Sequence, residues 1–96
     1  MSVRVLVHAR IREGEQAGFE AAFAQVRAAV AGTPGHIEDQ LLRSETDPTA
    51  YILLSHWESR ERFAEWEDAP IHRQLTTPMR PYWSGSVERL VYDVAV

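Results

Sequence analysis

From residue 3 to residue 11 the chain alternates, with Val3, Val5, Val7, Ala9 and Ile11 on one side and Arg4, Leu6, His8 and Arg10 on the other. A period of two predicts a strand with one dry face. Beyond Glu13-Gly14 the period changes: Phe19, Phe23, Val26 and Val30 recur at helical spacing with small alanines between them, predicting a helix over 15–31. Gly32 stands where a left-handed C-terminal cap belongs, and Thr33-Pro34-Gly35 forbids continuation. Ile37 to Arg43 reads as a second strand with weak alternation, followed by a polar hairpin turn over Ser44 to Thr49. Tyr51 to Trp57 is β-branched, aromatic and almost continuously apolar, the pattern of a central strand.

Ser59 is placed to cap the next helix, whose Phe63, Ala64 and Trp66 face one way and Arg60, Glu61, Arg62 and Glu65 the other, as a solvated face. Pro70 interrupts it and suits the first turn of a short helix over 70–76. Residues 78–85, with two prolines and a glycine, predict a loop, and Ser86 to Val96 a last strand with Leu90, Tyr92, Val94 and Val96 on one face. The order is βαββαβ. Two right-handed crossovers and one hairpin make it an α+β, ferredoxin-like antiparallel sheet with both helices on one face, a single domain over 1–96.

The sheet face away from the helices would carry Leu6, Leu54, Leu90 and Tyr92, with His8 and His56 of the same parity. A chain of 96 residues buries only about 60% of its unfolded surface, so covering that face with a second copy is the economical solution. A homodimer with upwards of ~2,000 Å² buried is expected. His8 and His56 are expected to lie close together there as hydrogen-bonded interface residues. Half of a metal site is the alternative, which no cysteine and no matched carboxylate spacing supports.

Composition narrows the chemistry. A formal net charge of -4 lacks the basic footprint of nucleic-acid binding. The absence of cysteine removes thiolate nucleophiles, zinc ribbons and disulfide scaffolds. No apolar run is long enough for a signal sequence or a span, so a cytoplasmic protein without membrane contact is expected. All ten basic residues are arginine, and alanine is the commonest residue, a bias that fits a GC-rich bacterial genome. Phosphate-cradling and nucleophile motifs are missing.

Pro34-Gly35, Gln40-Leu41-Leu42-Arg43, Tyr51, His56-Trp57-Glu58-Ser59, Phe63 and Trp66 together resemble the antibiotic biosynthesis monooxygenase family of dimeric α+β barrel proteins. The resemblance covers nearly the whole chain. It implies one of two chemistries in a pocket between helices and sheet: oxidation of aromatic polyketides by molecular oxygen without metal or flavin, or haem cleavage with a histidine on the iron. Trp57 matches the polyketide group's tryptophan and Trp66 the haem group's. Val7 and Leu75 stand where haem degraders have Asn and the iron-binding His; Leu53 and Phe63 stand where one kind of polyketide monooxygenase has Asn and Tyr.

The candidate site follows from both readings. Trp57, Phe63 and Trp66 wall a pocket for a flat ligand or simply pack the core, with Leu53 and Val7 beside them. His72, one turn before Leu75, is the candidate base, or else a surface histidine. Arg73, Arg80, Tyr82 and Trp83 occupy the irregular stretch that would rim the pocket, where arginine pairs with acidic oxygens and aromatics stack on rings, and His36 would line its mouth. The function expected is a small monooxygenase acting on a phenolic or polyketide-like aromatic without a cofactor. The alternatives are haem binding and degradation, and a non-enzymatic module for a small aromatic ligand.

Overall fold

The computed structural model describes residues 2–96. Its elements run β1 (Val3–Arg10), α1 (Gln16–Val30), β2 (His36–Arg43), β3 (Ala50–Trp57), α2 (Arg60–Asp68), α3 (Pro70–Thr76), a 3-10 turn (Thr77–Tyr82) and β4 (Glu88–Asp93). The four strands form one sheet in the order β2-β3-β1-β4, every neighbouring pair antiparallel. This is the ferredoxin-like arrangement that the alternation predicts. Ser59 caps α2, its hydroxyl accepting from the Arg62 amide at 3.2 Å, and Gly32 ends the first helical segment at a φ of 91°.

Two predicted elements differ. Pro78 and Pro81 do not leave residues 78–85 as loop, because proline's fixed φ also suits a tight helical turn, and Thr77 to Tyr82 form one. The last strand stops at Asp93, short of the expected Val96, since β1, its only partner, begins at Val3. Val94 keeps a single bond from its amide to the Ser2 carbonyl, 3.0 Å, and Val96 lies exposed.

Val3, Val5, Ala9, Tyr51 and Trp57 from the sheet meet Phe19, Ala22, Phe23, Val26 and Val30 from α1 to form most of the core. Phe19 strikes the Tyr51 ring edge-on with centroids 5.1 Å apart. Farther along the sheet α2 docks through Phe63 and Trp66, while the 3-10 turn contributes Met79. On the opposite face the register aligns Leu6 with both Leu54 and Leu90, and Arg4 with both His56 and Tyr92. His8, by contrast, faces Ile52 and Glu88. The two histidines therefore share a face but are not close: four residues of register separate them, roughly 13 Å along the strands.

Two glycines at positive φ separate backbone strain from packing. Gly35 has a φ of 84°, and a Cβ there would lie 2.3 Å from Arg62 Cβ, at the root of a side chain on α2. Gly14 has a φ of 88° with open space around it. In thermal or urea unfolding Gly14→Ala is expected to cost about 1 kcal/mol, the strain alone, and Gly35→Ala at least about 2 kcal/mol more, because the start of α2 must shift. Equal losses would show that α2 does not press on the β2 entrance.

Candidate active site

Between the helices and the dry sheet face lies a cavity of about 230 Å³. Its floor is Val5 and Val7 of β1 with Leu53, Ser55 and Trp57 of β3; its roof is Phe63, Trp66 and Glu67 of α2 and His72 of α3; Thr76, Met79, Arg80 and Trp83 close one end. Strand periodicity supplies the floor, because residues two apart share a face. The roof follows from i, i+3, i+4 spacing, which puts Phe63, Trp66 and Glu67 on one side of α2. Trp83 is held by a backbone bridge to Ile11, and the next amide, Ser84, donates to the Arg10 carbonyl at 2.7 Å.

The three tryptophans of the chain all line this cavity. Trp57 is 1% exposed and stacks on Trp66 at 6.3 Å, meets Phe63 edge-on at 5.7 Å, and donates its indole N–H to Ser55 Oγ at 3.1 Å. The acceptor for that indole is thus two residues back on its own strand. His72 lies edge-on against Trp66, centroids 5.0 Å apart. Burial pushes its pKa below the ordinary 6.5; Glu67 opposes the shift and Arg80 adds to it. His72 is therefore neutral near pH 7, an imidazole able to accept a proton.

Two donors at the closed end are unsatisfied. Arg80 Nε and Trp83 Nε1 are buried with no acceptor among the described residues. Arg80 lies 5.5 Å above the Trp83 ring, and its Nη2 donates to Thr76 Oγ1 at 3.1 Å. A buried donor without a partner costs about 1–3 kcal/mol, which an oxygen on a ligand would relieve.

Of the residues singled out from sequence, Trp57, Phe63, Trp66, Leu53, Val7, His72, Arg80 and Trp83 come together around the cavity. Three do not line it. Arg73 is exposed on the outer side of α3, and it is its carbonyl that takes part in structure, accepting from Thr77 Oγ1 at 2.6 Å. Tyr82 turns toward α1, tilted against Phe19 at 6.2 Å and filling the space left by Gly18. His36 sits behind Trp57, ring centroids 5.0 Å apart.

Glu67 and Arg89 were not singled out by the pattern. Arg89 clasps Glu67 with two nitrogens, Nη2 to Oε1 being 2.6 Å, and lies 5.4 Å above the Phe63 ring at the cavity's edge. The helical spacing Phe63-Glu67 carries the signal for the acid; Arg89 pairs in register with Val7 and so falls on the dry face. Asp39 of β2 also reaches the wall.

Residues 2–77 match the family model for antibiotic biosynthesis monooxygenase. The chain is 38% identical to Protein SchA of Streptomyces halstedii over 84 residues, which are 88% of this chain and 22% of that protein. It is 39% identical over 51 residues to a heme oxygenase (mycobilin-producing) of Mycobacterium tuberculosis, covering 53% of this chain and 49% of that one. It thus spans about a fifth of the first relative and about half of the second. Among solved structures, SnoaB of Streptomyces nogalater, a cofactor-independent oxygenase, shares the fold with a TM-score of 0.83 at 22% identity, over 99% of this chain and 94% of that one. A Bordetella bronchiseptica structure assigned to the same family gives 0.88 at 18% identity, over 99% and 98%. With the family model covering residues 2–77, the chain belongs to the antibiotic biosynthesis monooxygenase family.

Proposed function

We propose that this protein is a cofactor-independent monooxygenase that oxidises a small phenolic or polyketide-like aromatic with molecular oxygen. The observation that carries the reading is the cavity itself: three tryptophans and Phe63 enclose a slot for a flat ring, and one neutral imidazole opens onto it. His72 takes a proton from the substrate, and the anion is stabilised by the free donors of Arg80 and Trp83. The electron-rich anion then reduces oxygen directly. In an anthrone-type substrate the ring CH₂ loses both hydrogens and gains a carbonyl oxygen, while the second oxygen atom leaves as water, so no outside reductant enters. Apolar walls keep water from the anion while it meets oxygen.

Haem, which the mycobacterial relative raises, fits these residues poorly. Val7 and Leu75 occupy the positions that the resemblance assigns to Asn and the iron-binding His, and His72 is turned edge-on against Trp66.

Oxygen uptake by the purified protein with hydroxyanthrones and hydroquinones is expected to exceed the protein-free rate. His72→Ala should lower kcat by roughly 10²-fold or more. No uptake across the panel sinks the oxygenase, and a non-enzymatic binder would then show ligand binding without turnover. Because the His72 pKa is held below 6.5, the rate should be level above that pH and fall as pH drops below it. Stability follows the same sign: the unfolded chain binds the His72 proton more readily, so the neutral imidazole's contribution is full above 6.5 and lost as pH falls. A rate that rises on acidification would assign the base to another group.

The open sheet face supports a homodimer through Leu6, His8, Leu54, His56, Leu90 and Tyr92 as the working assembly. Leu42 and Tyr92 remain 44% and 53% exposed there, and Arg4 Nη1, on the residue paired with His56, is buried without an acceptor among the described residues. A second copy covers the first two and supplies atoms near the third. Light scattering at micromolar concentration is expected to give twice the chain mass for the wild type and the single mass for Leu54→Asp, which would bury an unpaired charge. A monomeric wild type rejects the dimer.

A further inference from the structure

Strand alternation ought to place His36 and Asp39, three residues apart, on opposite faces of the sheet. In β2 it does not. A bulge between His36 and Glu38 inserts one extra residue, so that His36 pairs with Trp57 and Asp39 with Ser55, and both side chains enter the helix-covered face. The cost is visible at Ile37, an apolar residue left 49% exposed. Bulges recur beside functional sites, where they re-aim a side chain.

The re-aimed pair is specific. His36 Nε2 and Asp39 Oδ1 are 2.9 Å apart, with side chains only 6% and 13% exposed. Behind His36 is Trp57, which fixes the imidazole edge-on; in front of Asp39 is the cavity. Oδ1 carries the bond to His36, and no hydrogen bond to Oδ2 is made among the described residues. Oδ2 is not among the buried atoms left without a partner, so it stays accessible, an acceptor open to a ligand in the cavity. Arg89, the cation at the cavity edge, is already clasped by Glu67, and His72, Arg80 and Trp83 belong to α3 and the segment after it.

We propose that Asp39, positioned by His36, is a second recognition point of the cavity and accepts a hydrogen bond from a free hydroxyl of the aromatic ligand. The ligand class narrows accordingly to aromatics with two oxygen functions, one for Asp39 and one for the donors of Arg80 and Trp83. The inference rests on the proposal that the cavity takes a phenolic ligand; it does not need the oxygen chemistry.

A symmetric dihydroxynaphthalene and its dimethyl ether test it, with binding read from intrinsic fluorescence, since every tryptophan lines the cavity. The dimethyl ether keeps an acceptor for Arg80 and Trp83 but has no hydroxyl to give to Asp39. The wild type should bind the diol about tenfold more tightly or better, and Asp39→Leu should bring the two affinities within about twofold. His36→Phe keeps the contact with Trp57 but loses the hydrogen bond, and should narrow the ratio; His36→Gln restores a donor and should recover most of it. Equal affinities in the wild type overturn the proposal, and so does a ratio unchanged in Asp39→Leu. If Asp39→Leu gives no cooperative thermal transition, the two His36 variants decide: a ratio that Phe and Gln leave alike overturns it. A wild type that prefers the diol yet consumes no oxygen refutes the oxygenase and keeps this site, whereas uptake with equal affinities does the reverse.

Discussion

The position of Trp57 governs the rest of the molecule. It is the last residue of β3, 1% exposed, and its ring is met by three side chains from two other elements: His36 of β2, and Phe63 and Trp66 of α2. A buried indole offers a large apolar area and one N–H that must find an acceptor. Ser55, two residues back on the same strand and hence on the same face, provides that acceptor without help from a helix. The helices are thereby free to meet Trp57 through apolar contact alone. Since only Glu58 and Ser59 separate Trp57 from α2, the strand-to-helix turn capped by Ser59 and the docking of Phe63 and Trp66 are consequences of where one side chain lies.

That arrangement explains why a cavity persists in so small a chain. Helix α1 fills one half of the dry sheet face with Phe19, Phe23, Val26 and Val30. Over the other half α2 stands on bulky rings, and α3 with the 3-10 turn closes the end through His72, Thr76, Met79 and Arg80. Large flat side chains hold surfaces apart as well as together. The polar groups admitted to this space are few and separated. His72 is on the roof, Arg80 and Trp83 are at one end, Asp39 is on the wall, and the Glu67–Arg89 pair is at the edge. Loss of water around His72 lowers its pKa, and this is the group best suited to accept a proton.

How much of this is legible in sequence depends on whether local periodicity survives. β1 alternates in residue type, and β3 carries buried aromatics in register with a period of two at Tyr51 and Trp57, so their faces, and with them Val7 and Leu53, are readable from residue types. β2 is not readable that way, because its bulge makes His36 and Asp39 share a face that a period of two forbids, and the expectation for His36 at the pocket mouth could not see the carboxylate beside it. Charge misleads in the same manner: Glu67 and Arg89 look like solvated positions until the two are brought together across α2 and β4. Tyr82 and Arg73 lie in a segment of prolines, where no period exists to say which way a side chain turns. Tyr82 goes to α1 because Gly18 leaves room for its ring, a long-range fact.

The strands that floor the cavity are also those that carry the open face, and their alternation binds the two surfaces together. Leu6 is followed by Val7, and Leu53 by Leu54, so each peptide unit of the central strands has one side chain toward the ligand and one toward the solvent face. A shift of register by one residue would exchange the two sets. Nothing in the apolar content of β3 alone prevents that slip, since Ile52, Leu53 and Leu54 are near equivalents. What prevents it is the ends: on the open face Trp57 and Tyr51 would lose their burial, and Tyr51 its bond to Glu20 of α1. The same two aromatics that shape the core therefore decide which leucines line the cavity and which are left for a second copy.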